Sequence, residues 1–150
     1  MMMILEGLLF INDQDVYATY GAFLSEDHAG DNTNYSALLK PPAMKPYVAV
    51  SFREQDGEKL PDILTPAFEA RDISLQFALF ADSTADWLAR YAAFVEMLHS
   101  GWLNIRVPEL GKTFRVYYKS CSQYSQLTPL DGGITAGKFT VIFHEPTPTL

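Results

Sequence analysis

Hydrophobic residues alternate along most of this chain, as they do in β-strands, and recur at helical spacing in only one stretch. The clearest alternation lies at residues 71–80. Its hydrophobic face consists of Ile73, Leu75, Phe77 and Leu79. Further strands are predicted at residues 8–11, 16–24, 47–52, 102–107, 113–118, 121–127 and 138–144, with a broken strand at 63–68.

The single predicted helix spans about residues 83–100. Ser83 is placed to cap it, with Asp86 three residues later in the first turn. Its apolar stripe contains Leu88, Tyr91, Val95 and Leu98, widened by Trp87 and Phe94. A stripe of this kind must be covered by a sheet. The pattern therefore predicts a mainly β fold, a β-sandwich or split β-barrel flanked by one α-helix, as a single domain over residues 1–150.

A long connection at residues 25–46 separates the first strands from the rest. Its first part is polar, and Pro41 and Pro42 predict an extended segment over residues 35–44. Connections of this length are either functional or disordered. Because its apolar side chains would be wasted in solvent, we expect an arm or long hairpin that docks on a neighbouring subunit, with a flexible loop as the alternative. The candidate interface residues are Tyr35, Leu38, Leu39, Met44 and Tyr47.

The charge balance argues against a protein that reads nucleic acid. Eleven Lys and Arg against eighteen Asp and Glu give a net charge of −7. Binding to DNA or RNA draws much of its affinity from basic side chains that neutralise phosphates. The chain has no basic run, and its acidic residues are scattered as on an ordinary soluble surface.

Residues that could carry catalysis or hold a metal do not form a recognisable pattern. Cys121 is the only cysteine, and a lone cysteine in a strand is typical of a small buried side chain. His28, His99 and His144 lack the spacing of a metal site. Gly132 and Gly133 lack the spacing of a phosphate-binding loop. We therefore predict no catalytic residue, no cofactor, no metal and no enzymatic activity.

The first residues contain an apolar run that is interrupted by Glu6 and lacks a basic flank. A membrane span needs roughly 20 apolar residues, far more than this run offers. The sequence therefore predicts a soluble protein made in the cytoplasm, with no membrane contact.

Three stretches, taken in order, resemble phage tail proteins of the distal-tail and tail-tube type. They are LLFINDQDVYATYGAFL at residues 8–24, LLKPPAMKPYVAVSF at 38–52 with the turn Asp56-Gly57-Glu58, and RDISLQFALFADSTADWLARYAAFVEML at 71–98 followed by GWLNIRV. The resemblance covers most of the chain, from about Leu8 to Phe143.

The resemblance implies a virion structural protein of a phage or prophage, made in the bacterial cytoplasm and assembled into the tail. Members of this family form homohexameric rings that stack around a channel. Its partners would be copies of itself and neighbouring tail proteins, while DNA passes through the channel without specific binding. An alternative that the strands leave open is a non-catalytic β-barrel that binds a small ligand.

Overall fold

The computed structural model describes residues 6–28 and 30–149. The elements are β1 (Phe10–Ile11), β2 (Gln14–Asp15), α1 (Val16–Tyr20), β3 (Ala22–Leu24), α2 (Thr33–Leu39), β4 (Arg71–Ala81), α3 (Thr84–Leu98), β5 (Trp102–Val107), β6 (Lys112–Gln126) and β7 (Thr135–Glu145), with a 3-10 turn at Pro108–Leu110. The predicted mainly β fold with one long helix is confirmed.

The seven strands form a single antiparallel sheet in the order β2-β1-β5-β6-β7-β4-β3. Its centre is the long pair of β4 and β7, which run side by side from Arg71↔Glu145 to Ala81↔Thr135. On β7 every second side chain is buried, as expected for a strand with one face on the core. The predicted strands at 113–118 and 121–127 are one strand, β6, with register shifts near its middle.

Helix α3 covers the buried face of the sheet. Ser83 caps it as predicted, because its Oγ accepts a hydrogen bond from the Asp86 amide at 3.1 Å. The Phe94 ring meets the ring of Phe77 on β4 at a centroid distance of 5.3 Å, and that of Phe139 on β7 at 5.9 Å. These edge-on contacts join helix and sheet in one aromatic core.

The buried side of α3 is rotated from the predicted stripe. Trp87, Phe94 and Leu98 are buried, whereas Leu88 is 50% exposed. The Trp87 indole nitrogen donates a hydrogen bond to the Leu79 carbonyl at 2.8 Å. The ring lies over Gly137, where an added Cβ would come within 2.7 Å of Trp87 Cζ2. The large rings therefore set the orientation of the helix.

Two short helices contradict the sequence prediction. Residues 16–20 form α1, where a strand was predicted over 16–24, and only Ala22–Leu24 is a strand. The Asp15 carboxylate accepts hydrogen bonds from the amides of Tyr17 and Ala18 and so caps α1. Gly21 then ends the helix with a φ of 74°.

The second correction concerns residues 35–44, which were predicted to be extended. Helix α2 spans Thr33–Leu39, and the chain becomes extended only at Lys40, with φ −65° and ψ 123°. A proline restricts only the residue directly before it, so Pro41 limits Lys40 and leaves the preceding residues free to be helical.

Cys121 also departs from the prediction, because its side chain is exposed. The reason lies in β6, whose alternation of buried and exposed residues stops after Val116. Beyond Tyr118, residues 119–124 are all exposed, on both faces of the strand.

Candidate subunit interface

Residues 41–70 form a long excursion between α2 and β4, called here the hairpin. Two isolated antiparallel bridges join its legs, Met44 with Phe68 and Val50 with Lys59. Val50 and Lys59 exchange both backbone hydrogen bonds, at 2.9 and 2.6 Å. Near the tip, Gly57 has a φ of 72°, which agrees with the turn predicted at Asp56-Gly57-Glu58.

The hairpin carries the largest group of exposed apolar side chains in the described part of the chain. Every residue from 48 to 70 is exposed. Val48 and Ile63 are 81% and 83% exposed, so they contact almost nothing in their own chain. The other exposed apolar members are Met44, Val50, Phe52, Leu60, Leu64 and Phe68. A surface of this kind is typical of a protein–protein contact.

The base of the hairpin is fastened to the end of the sheet by Arg71. Its guanidinium donates hydrogen bonds to the carbonyl of Leu38 in the last turn of α2 (3.0 Å) and to that of Lys40, just after the helix. Its Nε lies 2.5 Å from the fully buried Glu145 carboxylate on β7. One buried ion pair therefore holds α2, the start of β4 and the end of β7 together.

Helix α2 is pinned to the same edge of the sheet by Asn34 and Glu26. The Glu26 carboxylate accepts hydrogen bonds from the Thr33 and Asn34 amides and so caps α2. The buried Asn34 side chain bonds the strand edge, donating to the Ser25 carbonyl at 2.8 Å and accepting from the Gln76 amide at 2.7 Å. The amide thus extends the sheet beyond the end of β3.

The five predicted interface residues fall into two groups. Leu38 is fully buried in the core of its own chain, and Tyr35 is half-buried and donates a hydrogen bond to Glu109. Leu39 and Met44 are 45% and 46% exposed, and Tyr47 is half-buried at the foot of the hairpin. The accessible part of the predicted interface thus lies at residues 39–47.

Sequence reasoning missed Val48, Val50 and Phe52 as interface candidates, although the alternation of residues 47–52 predicts a strand there.

The surroundings of the Tyr35 hydroxyl shift its pKa strongly. Burial, and then the hydrogen bond to Glu109, raise the pKa of Tyr35 from 10.0 to about 12. Both effects favour the protonated phenol in the folded state. The folded chain thus holds this proton at a pH at which the unfolded chain loses it.

We expect the Tyr35→Phe variant to be less sensitive to alkali than the wild type. A raised folded-state pKa contributes stability that is complete below pH 10 and is lost as the pH rises through about 12. Urea unfolding at pH 8 to 12 measures this. The difference in unfolding free energy between the two proteins should shrink over that range. A constant difference would contradict the assignment.

The part of the chain that the structure describes shows no group of three or more His, Cys, Asp or Glu side chains placed to hold a metal ion. Among the same residues, no helix is long and apolar enough to cross a membrane.

Asp72 lies 2.7 Å from both the Lys119 ammonium and the His144 ring. The hydrogen bond from Lys119, and then that with His144, lower the pKa of the Asp72 carboxyl. Asp72 and Lys119 form an exposed ion pair, and His144 shares a hydrogen bond with the same carboxylate.

Comparison with known proteins gives a likeness of fold. No family model and no curated protein matches the sequence. Among solved structures, the chain is similar to the Dit protein (gp 19.1) of phage SPP1, described as a paradigm of the hub adsorption apparatus in phages that infect Gram-positive bacteria. The TM-score is 0.57 at 14% identity, over 92% of this chain and 49% of that one. The chain therefore spans about half the length of the phage protein and shares its fold.

Proposed function

We propose that this protein is a structural component of a phage or prophage tail that assembles with copies of itself into a ring, with six copies as the expected number. The observation that carries the proposal is the fold shared over 92% of the chain with a phage hub adsorption protein. The resemblance of its sequence segments to distal-tail and tail-tube proteins points the same way. Neighbouring tail proteins would stack on the ring, and the virion tail is its final location.

The hairpin supports assembly with other chains. Eight large apolar side chains between Met44 and Phe68 are exposed on a segment that has few backbone contacts with the rest of its chain. Burial of such residues stabilises association by roughly 25 cal/mol for each Å² removed from water. A hairpin that leaves one subunit and docks on the next gives a head-to-tail contact, and such contacts close into rings when their rotation matches the subunit number.

The role needs no catalysis, and the charge of the chain suits a channel. With a net charge of −7, the protein repels DNA on average. A channel wall with few basic side chains would let a polyanion slide, because each Lys or Arg contact adds affinity and slows movement. We therefore propose that DNA passes without specific binding and that the protein is not an enzyme.

The alternative of a ligand-binding barrel has less support in the core. The rings of Phe77 and Phe139 lie 5.9 Å apart, and Tyr91 meets Phe139 at 5.3 Å. These rings pack against one another and fill the space between sheet and helix. A barrel that holds a ligand would use such residues to line a cavity instead.

Electron microscopy of the concentrated protein tests the proposed function. We expect closed rings with a central opening, alone or in short stacks. Leu39 and the hairpin, including Met44, should lie at the contacts between neighbouring subunits. Particles of a single chain at every concentration, with an intact fold by circular dichroism, would contradict the proposal.

A further inference from the structure

The second half of β6 has a free edge. Strand β5 pairs with β6 from Val107↔Lys112 to Trp102↔Tyr117. Since β5 begins at Trp102, it has no residue that could pair with β6 beyond Tyr117. From Ser120 to Gln126, the described strands pair with β6 only on the side of β7. The backbone groups that point away from β7 over this stretch have no strand partner within the described chain. Such an edge is a template for a strand from another chain.

An aromatic cleft of about 460 Å³ opens at the start of β5, where the pairing of β5 with β6 ends and the free edge of β6 begins. It is lined by Leu98, His99, Gly101, Trp102, Tyr117 and Tyr118. Trp102 and Tyr117 are 51% and 39% exposed, and the His99 and Tyr118 rings meet at 4.4 Å. A strand added to the edge would place a side chain in this cleft. A strand edge beside an apolar pocket is the usual geometry of β-strand addition.

The hairpin offers a segment of matching length at residues 47–52, where the predicted strand is reduced to the isolated bridge at Val50. Residues 47–52 alternate and contain no proline, whereas Pro61 and Pro66 interrupt the other leg. Because Val50 exchanges both its backbone hydrogen bonds with Lys59, the N–H and C=O groups of Ala49 and Ser51 point to the opposite, open side. Six residues span about 20 Å, close to the length of the free edge.

We propose that residues 47–52 of one copy add as a strand to the free edge of β6, Ser120 to Gln126, in the next copy. The inference rests on the proposed ring and names the surface that receives the hairpin. The donor and acceptor surfaces lie on different parts of the chain, so the contact is head-to-tail. Val48 or Val50 enters the aromatic cleft, and the backbone of Ala49 and Ser51 pairs with β6.

Cysteine cross-linking tests this arrangement, because the only cysteine of the chain, Cys121, already lies on the free edge. The variants Ala49→Cys, Val50→Cys and Ser51→Cys each add one thiol to the donor strand. A disulfide forms only when the two Cα atoms are within about 7 Å. Mild oxidation of the assembled protein should give covalent chains longer than dimers in at least one variant. The wild type, with one cysteine, can give dimers at most.

Two controls test whether the free edge of β6 is the surface that receives the hairpin. Adding Cys121→Ser to the same variants should limit the products to dimers. A second set carries Cys121→Ser with Leu127→Cys, beside a separate apolar groove of about 270 Å³ formed with Phe23, Phe80 and Ala136. Chains longer than dimers only in that set would overturn the inference, and so would products no larger than dimers in all variants of an assembled protein. Neither result would contradict the proposal that the protein forms a ring. A wild type that never assembles would instead remove the proposed function itself.

Discussion

The Arg71→Met variant should lose about 3–5 kcal/mol of unfolding free energy, because it leaves the buried Glu145 carboxylate without its cation. The Arg71 side chain is 9% exposed and that of Glu145 0%. Glu145 Oε2 has no hydrogen-bond partner among the described residues, so the carboxylate depends on the guanidinium for its stabilisation. The substitution also removes the hydrogen bonds to the Leu38 and Lys40 carbonyls.

Urea unfolding at neutral pH measures the loss, and two further variants interpret it. Arg90→Met breaks the exposed ion pair with Asp86, at 3.0 Å with both side chains more than a third exposed, and should cost at most about 1 kcal/mol. The double variant Arg71→Met with Glu145→Leu should recover most of the stability, since no buried charge remains. If Arg71→Met costs no more than Arg90→Met, the buried pair does not fasten the end of the sheet.

Periodicity predicted the elements whose burial has a simple repeat. The alternation at residues 71–80 and 138–144 became β4 and β7, and the capped apolar stripe became α3. These elements are long, and each buries one continuous face. Hydrophobic pattern and structure agree there because burial decides both.

Helix α2 could not be predicted because its stability comes from side chains that are distant in the sequence. Helix α2 depends on Glu26, seven residues before its start, and on the contact of Asn34 with β4. Such tertiary contacts leave no repeat in the sequence. In α1 the missed signal is local: its β-branched and aromatic residues favour a strand, and the adjacent Asp15 cap overrides that preference.

The candidate interface stays a prediction, and the structure adds only which of its residues are accessible. The sequence distinguishes apolar from polar residues, but it does not tell which apolar residues the chain buries itself. Leu38 and Val48 look equally hydrophobic, yet Leu38 is 0% and Val48 81% exposed. The difference follows from the docking of α2 on the sheet, which directs Leu38 inward and leaves the hairpin outside.

Charges on the hairpin should prevent assembly without harming the fold. The double variant Val48→Asp with Ile63→Asp alters two side chains that are 81% and 83% exposed, so the single chain loses almost no packing. In an assembled ring, the same positions would bury carboxylates without partners, which costs several kcal/mol. Since 1.4 kcal/mol corresponds to a factor of ten, the dissociation constant should rise by about 100-fold or more.

Leu88→Asp is the matched control, because Leu88 is a half-exposed apolar residue on α3, away from the hairpin. It introduces one carboxylate, the same kind of charge, on another surface of the protein. Circular dichroism should show the same folded spectrum for the wild type and both variants.

Sedimentation velocity of these three proteins over a range of concentrations tests the central claim, that the exposed hairpin joins copies of this chain. The wild type and Leu88→Asp should sediment as the same closed oligomer, and Val48→Asp with Ile63→Asp as a folded single chain. A double variant that keeps the wild-type oligomer mass would show that the copies associate through another surface.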